Sequence, residues 1–308
     1  MRDRGQTREF RDATGGRQPR MQGTVDGFSH GLVTPVVAYV MACLGGALGL
    51  RCTTRSQLAR RSRRSGWLAL GATAIGSGIW TMHFIAMMGF SVKESPVHYY
   101  KLTTFASLGV AVLMVGIGIF IVGHRGATGT ALFTAGAITG LGIASMHYLG
   151  MAGMRLNGKL EYNTVTVSAS VVIAVVAATA ALWAAAQVRG FLWSVGASLV
   201  MGLAVSGMHY TGMAALSVHL HNTVDTPAGD SPAALLAPLM IGPLVFLFLA
   251  GVVVMFDPMV LSNTDRGRAK REKDAGTGAD TVPDPGLRPP FRSTQQSRDP
   301  GSRTPQRW

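Results

Sequence analysis

Seven long apolar stretches, separated by short polar segments, dominate the pattern along the chain. A helix that rises about 1.5 Å per residue needs about 20 apolar residues to cross a hydrocarbon core of about 30 Å. Each stretch has roughly that length, and a helix satisfies its own backbone polar groups in lipid. The pattern predicts an all-α polytopic membrane protein whose seven transmembrane helices cover approximately residues 30–50, 66–90, 102–123, 130–154, 165–186, 191–216 and 233–256.

Composition agrees with this architecture and excludes two classes of protein. Charged residues make up 14% of the chain and apolar residues 48%, whereas soluble domains average about 25% charged residues. These values exclude a soluble enzyme and a secreted mini-protein. The two cysteines, Cys43 and Cys52, form no disulfide framework. A lipoprotein signal cleaved at Cys43 is disfavoured because apolar sequence continues to Leu50.

The distribution of arginine predicts the orientation of the helices. By the positive-inside rule, the segment between the first two apolar stretches is cytoplasmic, and seven crossings then place the N-terminus outside and the C-terminus in the cytoplasm of a bacterial plasma membrane. The net charge of +13 is explained largely by topology, so no nucleic-acid partner is expected. The segment carries six arginines and no acid: Arg51, Arg55, Arg60, Arg61, Arg63 and Arg64.

Polar tails flank a membrane domain at residues 28–256. Residues 1–27 are predicted to be a disordered extracytoplasmic tail, and the proline-rich residues 257–308 a disordered cytoplasmic tail. The basic stretch 266–271 is expected to contact anionic lipid headgroups. Since the second tail has no apolar periodicity for a core, no catalytic output is expected in this chain. Any signal would pass to a separate cytoplasmic output protein.

A short motif occurs three times, at the ends of the second, fourth and sixth apolar stretches. Each copy has a methionine directly before a histidine and a second methionine four residues after it. Methionine is 16 of 308 residues, so a given histidine has both methionines by chance with a probability of about 0.3%. The repeat therefore indicates duplication of a helix pair. Each copy has Gly seven residues before the His and Met four residues after it, around the cores Met82-His83-Phe84, Met146-His147-Tyr148 and Met208-His209-Tyr210.

The spacing predicts a metal-binding layer. Residues four apart lie on the same helix face, and the three helices run in the same direction, so their motifs lie together near the outer surface. Ionisable residues inside a span indicate function. Four further histidines, His30, His98, His219 and His221, fall on that side, and only His124 is cytoplasmic. The predicted metal ligands are His83, Met87, His147, Met151, His209 and Met213.

Imidazole together with thioether favours copper as the cofactor. Thioether sulfur suits copper(I), and imidazole suits either oxidation state, whereas thioether is a poor ligand for zinc. Haem is the alternative, because His/His or His/Met pairs hold its iron. A third interpretation needs no metal: the histidines hydrogen-bond between helices and the methionines fill space.

The motif resembles the signature of a known family. The third copy, Met208-His209-Tyr210-Thr211, reads Met-His-Tyr-Thr, and the other copies are near matches. With its seven spans, the chain is similar over residues 28–256 to the MHYT family of bacterial integral membrane sensor domains. The resemblance implies a sensor that detects oxygen, carbon monoxide or nitric oxide through bound copper. Family members often continue into cyclic-dinucleotide or kinase output domains, whereas residues 257–308 here are a polar tail.

Three functions compete at this point. Copper transport would favour polar or methionine residues along the helices, but the segments before the motifs hold mostly Gly, Ala, Val and Leu, with Ser77 and Met201 as exceptions. A membrane oxidase would need acid–base or nucleophilic groups, and the apolar stretches lack Asp and Glu. A sensor or binding module is therefore favoured over a transporter, and a transporter over an enzyme.

Overall fold

The computed structural model describes residues 21–27, 31–187, 190–220 and 231–256. The predicted tail 257–308, with its basic stretch 266–271, lies outside these residues. Within them the chain forms seven helices, each long and apolar enough to cross a membrane, which confirms the predicted fold class. The helices are α1 Val33–Leu58, α2 Arg61–Met88, α3 Lys101–Arg125, α4 Gly129–Ala152, α5 Thr164–Gln187, α6 Phe191–Ala214 and α7 Pro232–Met255.

Two helix starts illustrate how local sequence sets these bounds. At the start of α5, the side-chain oxygen of Asn163 accepts hydrogen bonds from the backbone N–H groups of Val165 and Thr166, at 3.0 and 3.1 Å. At the start of α7, the Ser231 hydroxyl accepts from the backbone N–H of Ala234. Both contacts satisfy N–H groups that have no partner within the helix. Polar residues between apolar stretches thus cap the first turns of α5 and α7.

Six of the helices form a closed ring. Each helix from α1 to α6 packs on the next one along the chain, and α6 returns to pack on α1. The seventh helix, α7, packs against α2 and α1 on the outside of this ring. The three motif helices α2, α4 and α6 therefore alternate with α1, α3 and α5 around a common axis.

The glycine seven residues before each motif histidine makes a close helix contact. A Cβ atom added to Gly140 would lie 2.4 Å from the Cα atom of Val175 in α5, and one on Gly76 would lie 2.8 Å from the backbone of α3. On Gly202 it would lie 2.5 Å from the Sγ atom of Cys43 in α1. These three glycines thus permit a close neighbour. They contact the adjacent non-motif helix, however, and not the histidine layer.

The arginine-rich segment differs from the predicted polar loop. Helix α1 continues to Leu58 and α2 begins at Arg61, so only Ala59 and Arg60 link them. Long arginine side chains can reach the headgroup region while their backbone remains helical. The arginines still lie at one end of the ring, opposite the end that carries the motif histidines.

Short β-strands cover the motif end of the ring, and the apolar pattern of the chain does not predict them. β7 pairs antiparallel with both β6 and β1, β2 pairs with β3, and β4 pairs with β5. Residues 21–27 of the predicted N-terminal tail thus join this strand cap, and residues 1–20 lie outside the described residues. The strands of the cap are β1 Met21–Gln22, β2 Val25–Asp26, β3 Ser91–Val92, β4 His98–Tyr99, β5 Met154–Arg155, β6 Gly158–Tyr162 and β7 Leu216–Leu220.

Candidate metal centre

The three motif histidines meet on the axis of the ring. The Nδ1 atom of His83 lies 3.1 Å from that of His209 and 3.2 Å from that of His147, and the remaining pair is 3.3 Å apart. Each side chain is 1% exposed. The predicted convergence of three imidazoles is therefore observed, and among the described residues these three form the group of His, Cys, Asp or Glu side chains able to hold a metal ion.

Hydrogen bonding among the three Nδ1 atoms cannot explain this arrangement. A ring nitrogen has one in-plane position, which holds either a proton or a lone pair. With three nitrogens and two states, at least one of the three pairs must bring together two lone pairs or two N–H groups. A cation bound by three lone pairs removes this conflict, so the cluster fits a metal site better than a purely packed core.

The spacing also suits a first-row metal ion. Two nitrogens that each lie about 2.0 Å from a tetrahedral ion are about 3.3 Å apart, and the observed separations are 3.1 to 3.3 Å. Three imidazoles would fill three positions of such an ion and leave a fourth position available.

Two glycines allow the imidazoles to reach the axis, and sequence reasoning missed them. A Cβ atom on Gly150 in α4 would lie 2.5 Å from Nε2 of His83, and one on Gly212 in α6 would lie 2.5 Å from Nε2 of His147. Each glycine stands three residues after the motif histidine of its own helix. The imidazoles of His83 and His147 therefore each pack on the next motif helix along the chain. The available signal was a small residue at this position in all three copies, since the first copy has Ala86.

The aromatic residue after each histidine supports the ring from the side. Phe84, Tyr148 and Tyr210 pack edge-on against the imidazole that precedes them, with ring centroids 4.6, 4.8 and 5.0 Å apart. Such edge-to-face contacts are favourable because the positive ring edge meets a negative face. The Tyr148 hydroxyl also shares a hydrogen bond of 2.6 Å with the Ser170 hydroxyl in α5. These contacts restrict the orientation of the three imidazoles.

Comparison with known proteins identifies the repeat. The sequence profile described as MHYT, bacterial signalling protein N terminal repeat, matches residues 76–135, 140–198 and 202–256. The chain belongs to the MHYT family. Each matched MHYT repeat begins at the glycine that contacts a non-motif helix and includes the histidine of its motif.

Relatives of this MHYT protein are signalling proteins that are much longer. It is 37% identical over 192 residues to the bifunctional diguanylate cyclase/cyclic di-GMP phosphodiesterase MucR of Pseudomonas aeruginosa, covering 61% of this chain and 28% of MucR. It is 34% identical over 199 residues to the cyclic di-GMP phosphodiesterase NbdA of the same organism, covering 63% of this chain and 24% of NbdA.

A third relative comes from another bacterium. The signaling protein YkoW of Bacillus subtilis is 29% identical over 190 residues, which cover 59% of this chain and 24% of YkoW. The chain thus spans about a quarter of the length of these MHYT relatives. No solved structure matches it.

The motif methionines form the next layer of helix turns after the MHYT histidines. Met87 and Met151 are completely buried, and Met213 is half-buried. Each stands one turn beyond its histidine on the same helix face. Their role as thioether ligands stays a prediction.

Where the structure describes them, the other histidines lie at the two ends of the ring. His98 lies in β4 and His219 in β7, both in the strand cap, and Nε2 of His219 is 3.2 Å from the Glu161 carboxylate. His124 lies in the last turn of α3, at the opposite end. His30 and His221 lie outside the described residues.

Proposed function

We propose that this MHYT protein is the sensing part of a bacterial signalling system and that it binds copper through His83, His147 and His209. The observation that carries the proposal is the convergence of three buried Nδ1 atoms at 3.1 to 3.3 Å. The family description and the names of the relatives support the signalling role.

The surroundings of the cluster define what kind of signal it can receive. The imidazoles present three lone pairs to one point, and the following aromatics and the glycines Gly150 and Gly212 hold the rings in place. The strand cap and the buried aromatic side chains of Trp80, Phe84 and Tyr99 limit the access of water. Copper bound there would supply a centre able to take oxygen, carbon monoxide or nitric oxide. A small uncharged gas is the signal that such a dry site favours.

Haem is less compatible than a single ion with this geometry. A haem iron holds its two axial ligands on opposite faces of a flat macrocycle, so two axial nitrogens cannot lie 3.1 to 3.3 Å apart with the macrocycle between them. Zinc accepts three imidazoles, and copper is preferred over zinc because of the motif methionines. Copper transport is disfavoured because the axis below the histidines is lined by apolar atoms.

The orientation and the output belong to the same proposal. The arginines at the α1–α2 end support a cytoplasmic location for that end, and hence an outer location for the histidines and the strand cap. Reporter fusions after residues 60 and 225 should report inside and outside. We infer that this chain supplies sensing and no catalysis, and that a separate cytoplasmic protein provides the output. Membrane lipids are its other partners.

Metal analysis of the purified chain tests the proposal. The wild-type protein, exposed to copper and washed in mild detergent, should carry about one copper per chain by mass spectrometry. Changing His83, His147 and His209 together to Ala should remove it. A matched control changes three other histidines, His98→Ala, His124→Ala and His219→Ala, and should retain the metal.

Three results would contradict the copper assignment. Zinc at full occupancy in place of copper would change the metal, and a Soret absorption band would change the cofactor to haem. Absence of bound metal from a folded wild-type protein would support the packing interpretation, in which the histidines only contact each other.

A further inference from the structure

An apolar cavity lies on the axis of the ring, directly below the three imidazoles. All six ring helices contribute to its wall. The first layer of side chains stands one turn before the motif histidines, and the second layer stands two turns before them. The first layer is Ile79, Ile143 and Val205, and the second is Ile75, Thr139 and Met201.

The chemistry of the wall excludes water. A buried water needs two to four polar partners, and no polar atom is exposed to this cavity. The single hydroxyl of the wall, on Thr139, points toward α3, where its Oγ1 atom lies 3.5 Å from the Met114 carbonyl oxygen and next to Gly118. Apolar cavities of this kind remain dry and take up small apolar molecules such as xenon.

The size of the cavity is set by small residues of α5. The space open to the centre of a water-sized molecule is about 30 Å³, above the 10–15 Å³ or so that one such molecule needs. Val175 in α5 contacts Gly140, and Ala178 follows it by three residues. In α3 the residue at the equivalent position is the larger Val115. The shorter side chain leaves the cavity unfilled on the α5 side.

We propose that this axial cavity is a binding site for one or two small, uncharged, apolar molecules, which it holds beside the three imidazoles. The cavity is adjacent to the imidazoles because its first layer of side chains stands four residues before the histidines, and residues four apart lie one above the other on the same helix face. Diatomic gases belong to this class of ligand. The use of the cavity to deliver a gas to the metal rests on the proposed function, whereas binding itself does not.

Xenon is the probe, and the methionine methyl groups of the wall are the reporters. The full chain, labelled with ¹³C at its methionine methyls, is studied by NMR in detergent under increasing xenon pressure. Met201 and Met208 line the cavity, and Met255 lies on the exposed face of α7 as the reference. We expect saturable shifts at Met201 and Met208 and a linear, non-saturating shift at Met255.

A pair of alanine substitutions makes the test specific. Ala178→Leu fills the cavity and should reduce the saturable shift at least about tenfold, while Ala180→Leu, on the exposed face of the same helix, should leave it unchanged. Linear shifts at Met201 and Met208 in the wild-type protein would overturn the proposal even if the filled variant did not fold. A saturable shift that survives in a folded Ala178→Leu protein would also overturn it.

Measurement before and after treatment with a chelator separates this inference from the proposed function. Xenon binding that persists without metal supports the cavity whatever the metal is. A protein that binds copper but shows no saturable xenon shift would leave the metal site standing and refute the cavity as a binding site.

Discussion

Two sets of helices alternate around the ring and differ in hydropathy. They are the motif helices α2, α4 and α6 and their neighbours α1, α3 and α5. The three motif helices are the least hydrophobic of the seven, and they share the same hydropathy. Among the described residues, the buried histidines His83, His147 and His209 all belong to the motif helices, whereas α1, α3 and α5 bury none. Low hydropathy in a spanning helix therefore indicates polar groups that are buried against other helices.

The two sets of helices also make two kinds of glycine contact. Between a motif helix and its neighbour, the glycine seven residues before the histidine meets the neighbour's backbone at Gly76 and Gly140 and the Cys43 side chain at Gly202. Between successive motif helices, the glycine three residues after the histidine receives an imidazole. Small residues of this sort drive helix packing in membranes, where burial of apolar surface contributes little.

The largest expected effect comes from breaking the contact between a motif helix and its neighbour. Gly140→Ala would bring a Cβ atom to 2.4 Å from the Cα atom of Val175, so the backbones of α4 and α5 must separate. We expect a loss of unfolding free energy of about 1–3 kcal/mol, measured by reversible unfolding in mixed micelles. Gly196→Ala in α6 is the control, because nothing lies within 4 Å of its added Cβ. Equal losses of unfolding free energy in the two variants would show that the close contact at Gly140 does not stabilise the ring.

The second expected effect comes from breaking the contact between motif helices. Gly150→Ala would bring a Cβ atom to 2.5 Å from Nε2 of His83 and displace that ring from the axis. Metal affinity should fall about tenfold, as when groups that orient a ligand are changed, with a smaller change in stability than for Gly140→Ala. Gly207→Ala, which meets open space, should keep full affinity in a competition titration with a chelator. Unchanged affinity in Gly150→Ala would refute the orienting role.

The smallest expected effect lies in the strand cap, outside both sets of helices. The backbone N–H of Thr24 donates to the Glu94 carboxylate at 2.8 Å, and hydrogen bonds with Thr24 hold the pKa of Glu94 below its usual value. At pH values above the ordinary glutamate pKa, the charged Glu94 carboxylate therefore helps to hold residues 23–26 in the cap. This attachment weakens as the pH falls through the lowered pKa.

Amide hydrogen exchange at Thr24 checks this dependence on pH. Protection should fall on acidification in the wild-type protein relative to Glu94→Gln, in which the side chain stays uncharged at every pH. A protection ratio between the two proteins that does not vary with pH would contradict the role of the carboxylate. The motif helices should be unaffected in both proteins.

Several features of the fold and of the site could be predicted because they depend on local pattern. Apolar length alone indicates seven spans, and three copies of one motif on helices that run in the same direction bring His83, His147 and His209 to one layer. The strand cap was missed because its strands are two to five residues long, too short for a periodic signal. Gly150 and Gly212 could not be predicted from local pattern because the imidazoles that they contact, of His83 and His147, belong to the preceding repeat.

The apolar stretches and the repeated motif are sufficient to predict the number of helices, their alternating direction and the common depth of the three histidines. Which helix closes the ring depends instead on how the helices pack in three dimensions. Helix α7 follows α6 within the third repeat, yet α1 packs against Gly202 through Cys43, and α7 lies outside. Both helices are long and apolar, and in lipid apolar character does not distinguish one partner from another. The choice depends on close fit between small-residue surfaces, such as Gly45 of α1 against Gly78 of α2, and that fit exists only once the helices are assembled.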